Sequence, residues 1–167
     1  MSRDATLDPV GLETAQEIEL FLFEEARLLD ERHFDHWVDL FAADGYYWVP
    51  TNPAQDSPEL TLSIFAEGKA LLRLRAQRLG HPQMHVQNPP SRTHHHVTGI
   101  VARHSGDGEY EVRSLVLVAE WRNAEQRFFS CSCRHVLRRA GADLQIVLKR
   151  VDLLNCDAPH RAIAVPF

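Results

Sequence analysis

Nowhere in the 167-residue chain does an apolar run approach the roughly 20 residues needed to span a bilayer. The opening MSRDATLDPV has neither the basic start nor the apolar stretch of a secretory signal. Cysteine is scarce and odd in number: Cys131, Cys133 and Cys156 offer no pairing framework. The first two point the same way along an extended segment, so they are badly placed to bridge each other. These absences lead to the expectation of a reduced, cytoplasmic protein. Glycine-rich phosphate loops are missing too, since GDG at 106–108 reads as a hairpin turn. No Gly-x-Ser-x-Gly elbow supports a serine nucleophile.

What is present is an ordinary globular composition, 44% hydrophobic and 25% charged. The length suits one domain over residues 1–167, with 1–13 as a flexible N-terminal arm. A net charge of −5 conceals an asymmetry: residues 1–60 hold three basic and fourteen acidic side chains, the remainder fifteen basic and nine acidic. The basic excess is scattered rather than gathered into a stripe with interleaved aromatics, so no nucleic-acid partner is expected. Either a solvated surface or a polar contact with a partner chain accommodates such a split.

Periodicity predicts an amphipathic helix over 14–31, with Ile18, Phe21, Leu22, Ala26 and Leu29 on one stripe and a Thr14–Glu17 capping box at its start. A short second helix, HFDHWVDLFA, places Phe34, Trp37, Val38 and Phe41 together, with ADG at 43–45 as its stop. YYWVP and LTLSIF read as strands around a surface loop, and a third helix from about 67 to 79 puts Ala70, Leu71 and Leu74 inward. Four extended segments follow, roughly 94–104, 109–121, 126–139 and 144–155. In the second, Val112, Ser114, Val116 and Val118 alternate with Glu111, Arg113, Leu115 and Leu117, so both faces are expected to be covered. Helices first and long antiparallel strands afterwards indicate an α+β fold, a few helices on a strongly curved sheet that forms a cone.

The stretch NPPSRTHHHV, 88–97, sets three imidazoles in a row. On a strand His94 and His96 share one face and His95 takes the other. A His-x-His pair is usable metal-ligand geometry, but a site needs a third and often a fourth donor. His85, His135, Glu120 and Asp152 are candidates without convincing spacing. A two-histidine, one-carboxylate iron site therefore stands against the plainer reading of imidazoles hydrogen-bonded at a strand start or a subunit surface. CSC is not Cys-x-x-Cys, and the Cys-x-His and Cys-x-x-His ligands of a Rieske cluster are missing. Asp30, Asp35 and Asp44 would be general bases if they lined a cavity, and are otherwise caps and solvated charges. Tyr46, Tyr47 and Trp48 suit the wall of the cone.

Residues 21–50, FLFEEARLLDERHFDHWVDLFAADGYYWVP, carry an Ala-Arg-Leu-Leu-Asp run, a Trp-x-x-Leu-Phe segment and a Tyr-Trp-x-Pro strand. With PPSRT and His95, EYEVRS at 109–114 and KRVDLLNCDAP at 149–159, four ordered blocks span nearly the whole chain. In these blocks the sequence resembles the small (β) subunit of aromatic-ring-hydroxylating (Rieske non-haem iron) dioxygenases. The resemblance implies the cone-shaped α+β fold of ketosteroid isomerase, nuclear transport factor and SnoaL-like proteins. It implies assembly with other β subunits and a catalytic α subunit, as α3β3, for cis-dihydroxylation of an aromatic compound in catabolism. The Rieske [2Fe–2S] cluster and mononuclear Fe(II) are expected in the α subunit, and no catalytic, cofactor or metal residue in this chain. Trp48, Arg92, His95, Arg150 and Asp152 are the residues expected to serve structure or interface, Arg92 and His95 by hydrogen bonds that fix the preceding loop. His94 stands where the family often has arginine, and HPQMHVQ departs from its usual Trp-containing stretch; these differences touch the choice of substrate rather than the fold.

Two other functions compete with this one. A stand-alone cone-fold enzyme, an isomerase, dehydratase or small hydrolase, would use an Asp–His pair in an open cavity, with the carboxyl pushed upward. A ligand-binding or scaffold cone would have neither that pair nor an oxygenase partner.

Overall fold

Apolar residues recurring every three or four positions form α1 (Leu12–Asp30), which buries Ile18, Leu22, Leu28 and Leu29. The structure, a computed structural model, describes residues 8–59, 61–81, 87–106 and 108–167. The expected capping box does not form: the cap residue is Gly11, without a side-chain bond, and Glu17 is taken instead by Arg139 at 2.7 Å. At the other end Arg32 adopts φ 61°, and the His33 and Arg32 amides close back on the Leu28 and Leu29 carbonyls at 2.8 and 3.1 Å. Glycine is the usual residue in that left-handed position. Here the arginine side chain offsets the strain by donating to Gln87 Oε1 at 2.9 Å and the Leu79 carbonyl at 3.1 Å.

The second helix is shorter than its pattern: α2 covers Phe34–Asp39, and Phe41 already opens strand β1 (Phe41–Pro50). Ala43–Gly45 lies within that strand rather than ending a helix. Its register against β6 slips between Phe41 and Tyr46, and a Cβ on Gly45 would stand 2.7 Å from the Ile146 carbonyl oxygen. The glycine is thus the residue of a bulge, not of a stop. Strand β2 (Ser63–Gly68) pairs antiparallel with β1 and leads into α3 (Lys69–Gly80). The inner face of α3 is Leu72, Ala76 and Leu79, whereas Leu71 and Leu74, expected inside, point outward. The ALLRL run offers two apolar phases, and packing against α2 and β1 selects one.

The long strands are β3 (Arg92–Gly106), β4 (Glu109–Arg122), β5 (Glu125–Ala140) and β6 (Asp143–Leu153). Together with β1 and β2 they build one six-stranded sheet in the order β2-β1-β6-β5-β4-β3, with β1 and β6 parallel and the other pairs antiparallel. At 123–124 the turn between β4 and β5 uses Asn123 and Ala124 at φ 52° and 59°, the pattern of a type I′ hairpin. Edge strand β3 is blunted at two places. Asp30 accepts the His95 amide at 3.0 Å, and the Asp8 carbonyl accepts the His104 amide at 2.9 Å beside a bridge from Pro9 to Arg103. Of the arm expected over 1–13, residues 1–7 lie outside the described residues, while Pro9 rests on β3 and Leu12 begins α1.

Among the described residues the helices pack on one face of the sheet. Val112, Val116 and Val118 of β4 are buried, but Leu115 and Leu117 remain 56% and 43% exposed, so the outer face is open in the chain by itself. The charge asymmetry closes partly within the molecule. Glu17, Glu25, Asp39 and Asp44 pair with Arg139, Lys149, Arg73 and Arg138, each joining the acidic first third to the basic remainder. Among the described residues no helix is long and apolar enough to cross a membrane.

Candidate functional site

Helix α1 delivers a charge to the interior of the cone. Glu25 falls on the same stripe as Leu22 and Leu29 and is buried with them. Lys149 Nζ donates to its Oε1 at 2.7 Å, Trp37 Nε1 to the same oxygen at 3.0 Å, and His135 Nε2 lies 3.0 Å from Oε2. Burial would raise the Glu25 carboxyl, but the charge of Lys149, then that of His135 and the hydrogen bonds, outweigh it and hold the group well below the carboxylate range. Beside this cluster lies a cavity of about 10 Å3, bordered also by Ser114, Cys133 and Phe167. That is room for about one water molecule. Ser114 Oγ and His135 Nδ1 are buried without a protein partner.

A second carboxylate–imidazole pair sits at the start of β3. His95 Nδ1 is 2.6 Å from Asp30 Oδ1, Thr93 donates to the same oxygen at 2.9 Å, and His95 Nε2 faces the Pro166 carbonyl at 3.3 Å. Burial raises the Asp30 carboxyl, yet the bonds from His95 and Thr93 leave it lowered overall. His95 therefore ties β3 to α1 and to the segment before Phe167, not to the loop that precedes the strand. That loop is fixed by others. Ser91 donates to Glu120 at 2.6 Å, its amide meets Gln87 Oε1 at 3.1 Å, and Arg122 reaches the Pro89 carbonyl at 3.0 Å across the cis Asn88–Pro89 bond. Glu120, once a possible metal ligand, is fully buried and bound by Arg127 at 2.9 Å.

Of the five residues singled out in the sequence, three come together. The Arg150 guanidinium lies over the Trp48 ring at 4.4 Å, holds Asp152 at 2.8 Å and donates to the Gln55 carbonyl at 2.8 Å. Trp48 in turn donates to Ser63 Oγ at 3.0 Å, so the group clamps the 51–62 loop onto β1 and β6. His95 stands apart at the helix side. The Arg92 side chain is exposed and makes no hydrogen bond or ion pair with the described residues. The side chain faces outward because β3 alternates, and Thr93 and His95 take the inner positions.

His94 and His96 share the outer face as expected, with ring centroids 6.3 Å apart. Among the described residues no group of three or more His, Cys, Asp or Glu is arranged to hold a metal ion. His85 lies outside the described residues. Asp35 is exposed, and Asp44 pairs with Arg138 at 3.0 Å. Tyr47 and Trp48 are buried wall, Tyr47 accepting the Phe167 amide at 3.1 Å. Sequence reasoning missed Glu25, Lys149, Gln87 and Ser91. One signal was available for Glu25, a lone acid three residues after Leu22 within an apolar stripe.

Comparison with known proteins agrees with this geometry. Residues 24–159 match the family model described as the ring hydroxylating beta subunit. The small oxygenase component of the p-cumate 2,3-dioxygenase system of Pseudomonas putida is 32% identical over 155 residues, 91% of this chain and 86% of that protein. The crystal structure of the beta subunit of a benzoate 1,2-dioxygenase from Burkholderia mallei superposes with a TM-score of 0.72 at 24% identity, covering 89% of this chain and 94% of that one. An NTF2-like protein from Novosphingobium aromaticivorans shares the fold at a TM-score of 0.64 and 17% identity, covering 86% of this chain and 84% of that one. On these matches, the chain belongs to the family of ring-hydroxylating dioxygenase beta subunits.

Proposed function

We propose that the chain is the non-catalytic β subunit of a multicomponent aromatic-ring-hydroxylating dioxygenase, holding catalytic α subunits in an α3β3 hexamer for cis-dihydroxylation of an aromatic compound. The Rieske [2Fe–2S] cluster and mononuclear Fe(II) then belong to the α subunit, and the assembly works in the cytoplasm. The observation that carries this reading is the filled cone. Its interior charge is already matched by Lys149 and His135 beside about 10 Å3 of free space. Among the described residues the buried Glu25 and the part-buried Asp30, bonded to His135 and His95, are lowered rather than raised. A stand-alone isomerase or dehydratase would need a raised acid in an open cavity, so this feature favours the structural role.

Within that role residues 1–167 act as one domain. Trp48, Arg150 and Asp152 keep the 51–62 loop in place, His95 anchors the long edge strand, and Arg92 is left on the outer sheet face for a partner. Purification from the native host, followed by mass determination, tests the proposal. The expected result is a brown complex containing an iron-bearing larger chain, and an isolated chain that is colourless and inactive. Turnover or tight iron binding by the isolated chain would overturn it.

A further inference from the structure

Three arginines face one another across the open side of the sheet. Arg113 of β4 stands opposite Arg134 of β5, which stands opposite Arg150 of β6. Like charges directly across strands repel unless something neutralises them. Arg150 has Asp152 at 2.8 Å. Arg113 and Arg134 share a single carboxylate, Glu111, at 3.1 and 3.0 Å. Three guanidinium groups therefore meet two carboxylates, and Arg113 and Arg134 remain 66% and 43% exposed. They border a groove of about 440 Å3, floored by Leu115 and Ser132. Beyond it the same face continues with Leu117, Trp121 and Phe128, 43%, 42% and 61% exposed.

We infer that this groove docks a carboxylate-bearing segment of the catalytic partner subunit, an Asp or Glu flanked by apolar side chains. The inference rests on the proposed role as a dioxygenase subunit and says which face meets the partner. Charge argues against a second copy of this chain packed through the same face. Packing sheet face to sheet face would set arginine rows against each other, a like-charge contact. A different chain bringing the missing negative charge avoids that contact.

The test uses this chain co-expressed with its cognate catalytic subunit, with the dissociation constant followed from 50 to 500 mM salt. Arg113→Glu with Arg134→Glu should weaken the complex by about 10-fold or more and flatten its salt dependence. Arg27→Glu with Arg73→Glu makes the same change of charge on the helical side and should leave both unchanged. Arg113→Ala covers the case in which the double variant fails to fold, because among the described residues that exposed guanidinium bonds to Glu111 alone; a several-fold loss is expected. Wild-type affinity and salt slope in the sheet-face variants, or equal losses in the helical-side pair, would overturn the inference while leaving the oxygenase role intact. No complex with the wild-type chain would remove that role itself. Tight binding of benzoate by the isolated chain, abolished by Arg113→Ala, would reassign the groove to a small carboxylate and also overturn it.

Discussion

Replacing Glu25 by Gln isolates the electrostatic part of the buried cluster, because the amide keeps the size of the carboxyl group. Its oxygen can still accept from Trp37, and its nitrogen can face His135 Nε2 after a change of tautomer. What disappears is the negative charge 2.7 Å from Lys149, whose side chain is only 4% exposed. An ammonium left buried without its counter-charge costs about 3–5 kcal/mol. For a chain of this size that corresponds to a fall in Tm of roughly 6–20 °C. Circular dichroism melts and urea unfolding of the full chain measure both quantities. Glu25→Gln combined with Lys149→Met should recover about 2–3 kcal/mol relative to additive losses, since the stranded cation is gone. The wild-type pH profile gives a separate check. The folded-state pKa of Glu25 lies below its ordinary value of 4.5, so its stabilisation is present above that pH and is lost on acidification. The slope below about pH 5 should be shallower in Glu25→Gln. A variant within about 1 kcal/mol of wild type would refute the idea that the Glu25 charge offsets the desolvation of Lys149.

Three further outcomes follow from local geometry. Gly45→Ala should destabilise the chain by about 2–4 kcal/mol in urea unfolding, as its Cβ would press on backbone oxygens at 2.7 and 2.9 Å that cannot swing away; a change below about 0.5 kcal/mol would count against the bulge. Ala124→Gly should raise stability by about 0.5–1 kcal/mol, because the type I′ turn holds Ala124 at φ 59°; a loss would mean the turn is of another kind. Burial pushes the Cys133 thiol up to about 12 and the Cys131 thiol upward as well, so neither should react with iodoacetamide at pH 8 in the folded protein. Mass spectrometry showing rapid labelling at either position would contradict that burial.

Much of the element list could be read without the fold. The strand pattern of 109–121 and the stripe of Ile18, Leu22 and Leu29 are short-range signals, set by which side chains share a face within one segment. The errors share one cause, that a local pattern admitted two answers and a distant contact chose. Phe41 suits a helix stripe equally well, but pairing with β6 pulled it into a strand. Leu71 and Leu74 lost the inner face of α3 to Leu72, Ala76 and Leu79 once α2 and β1 fixed the helix rotation. Glu17 suited a capping box, yet Arg139, 122 residues away, had the stronger claim on it.

The candidate site divides along the same line. The four sequence blocks identified the family, and the alternation along β3 placed His95 on one face and His94 and His96 on the other. That much needs only neighbours in the chain. The union of Glu25, His135 and Lys149, the clamp of Arg150 on Trp48, and the row of Arg113, Arg134 and Arg150 each join residues from separate elements. Spacing along the chain carries no record of strand order or register. Those are settled by which arrangement buries the apolar faces and neutralises the interior charges together, and only the folded sheet supplies that answer.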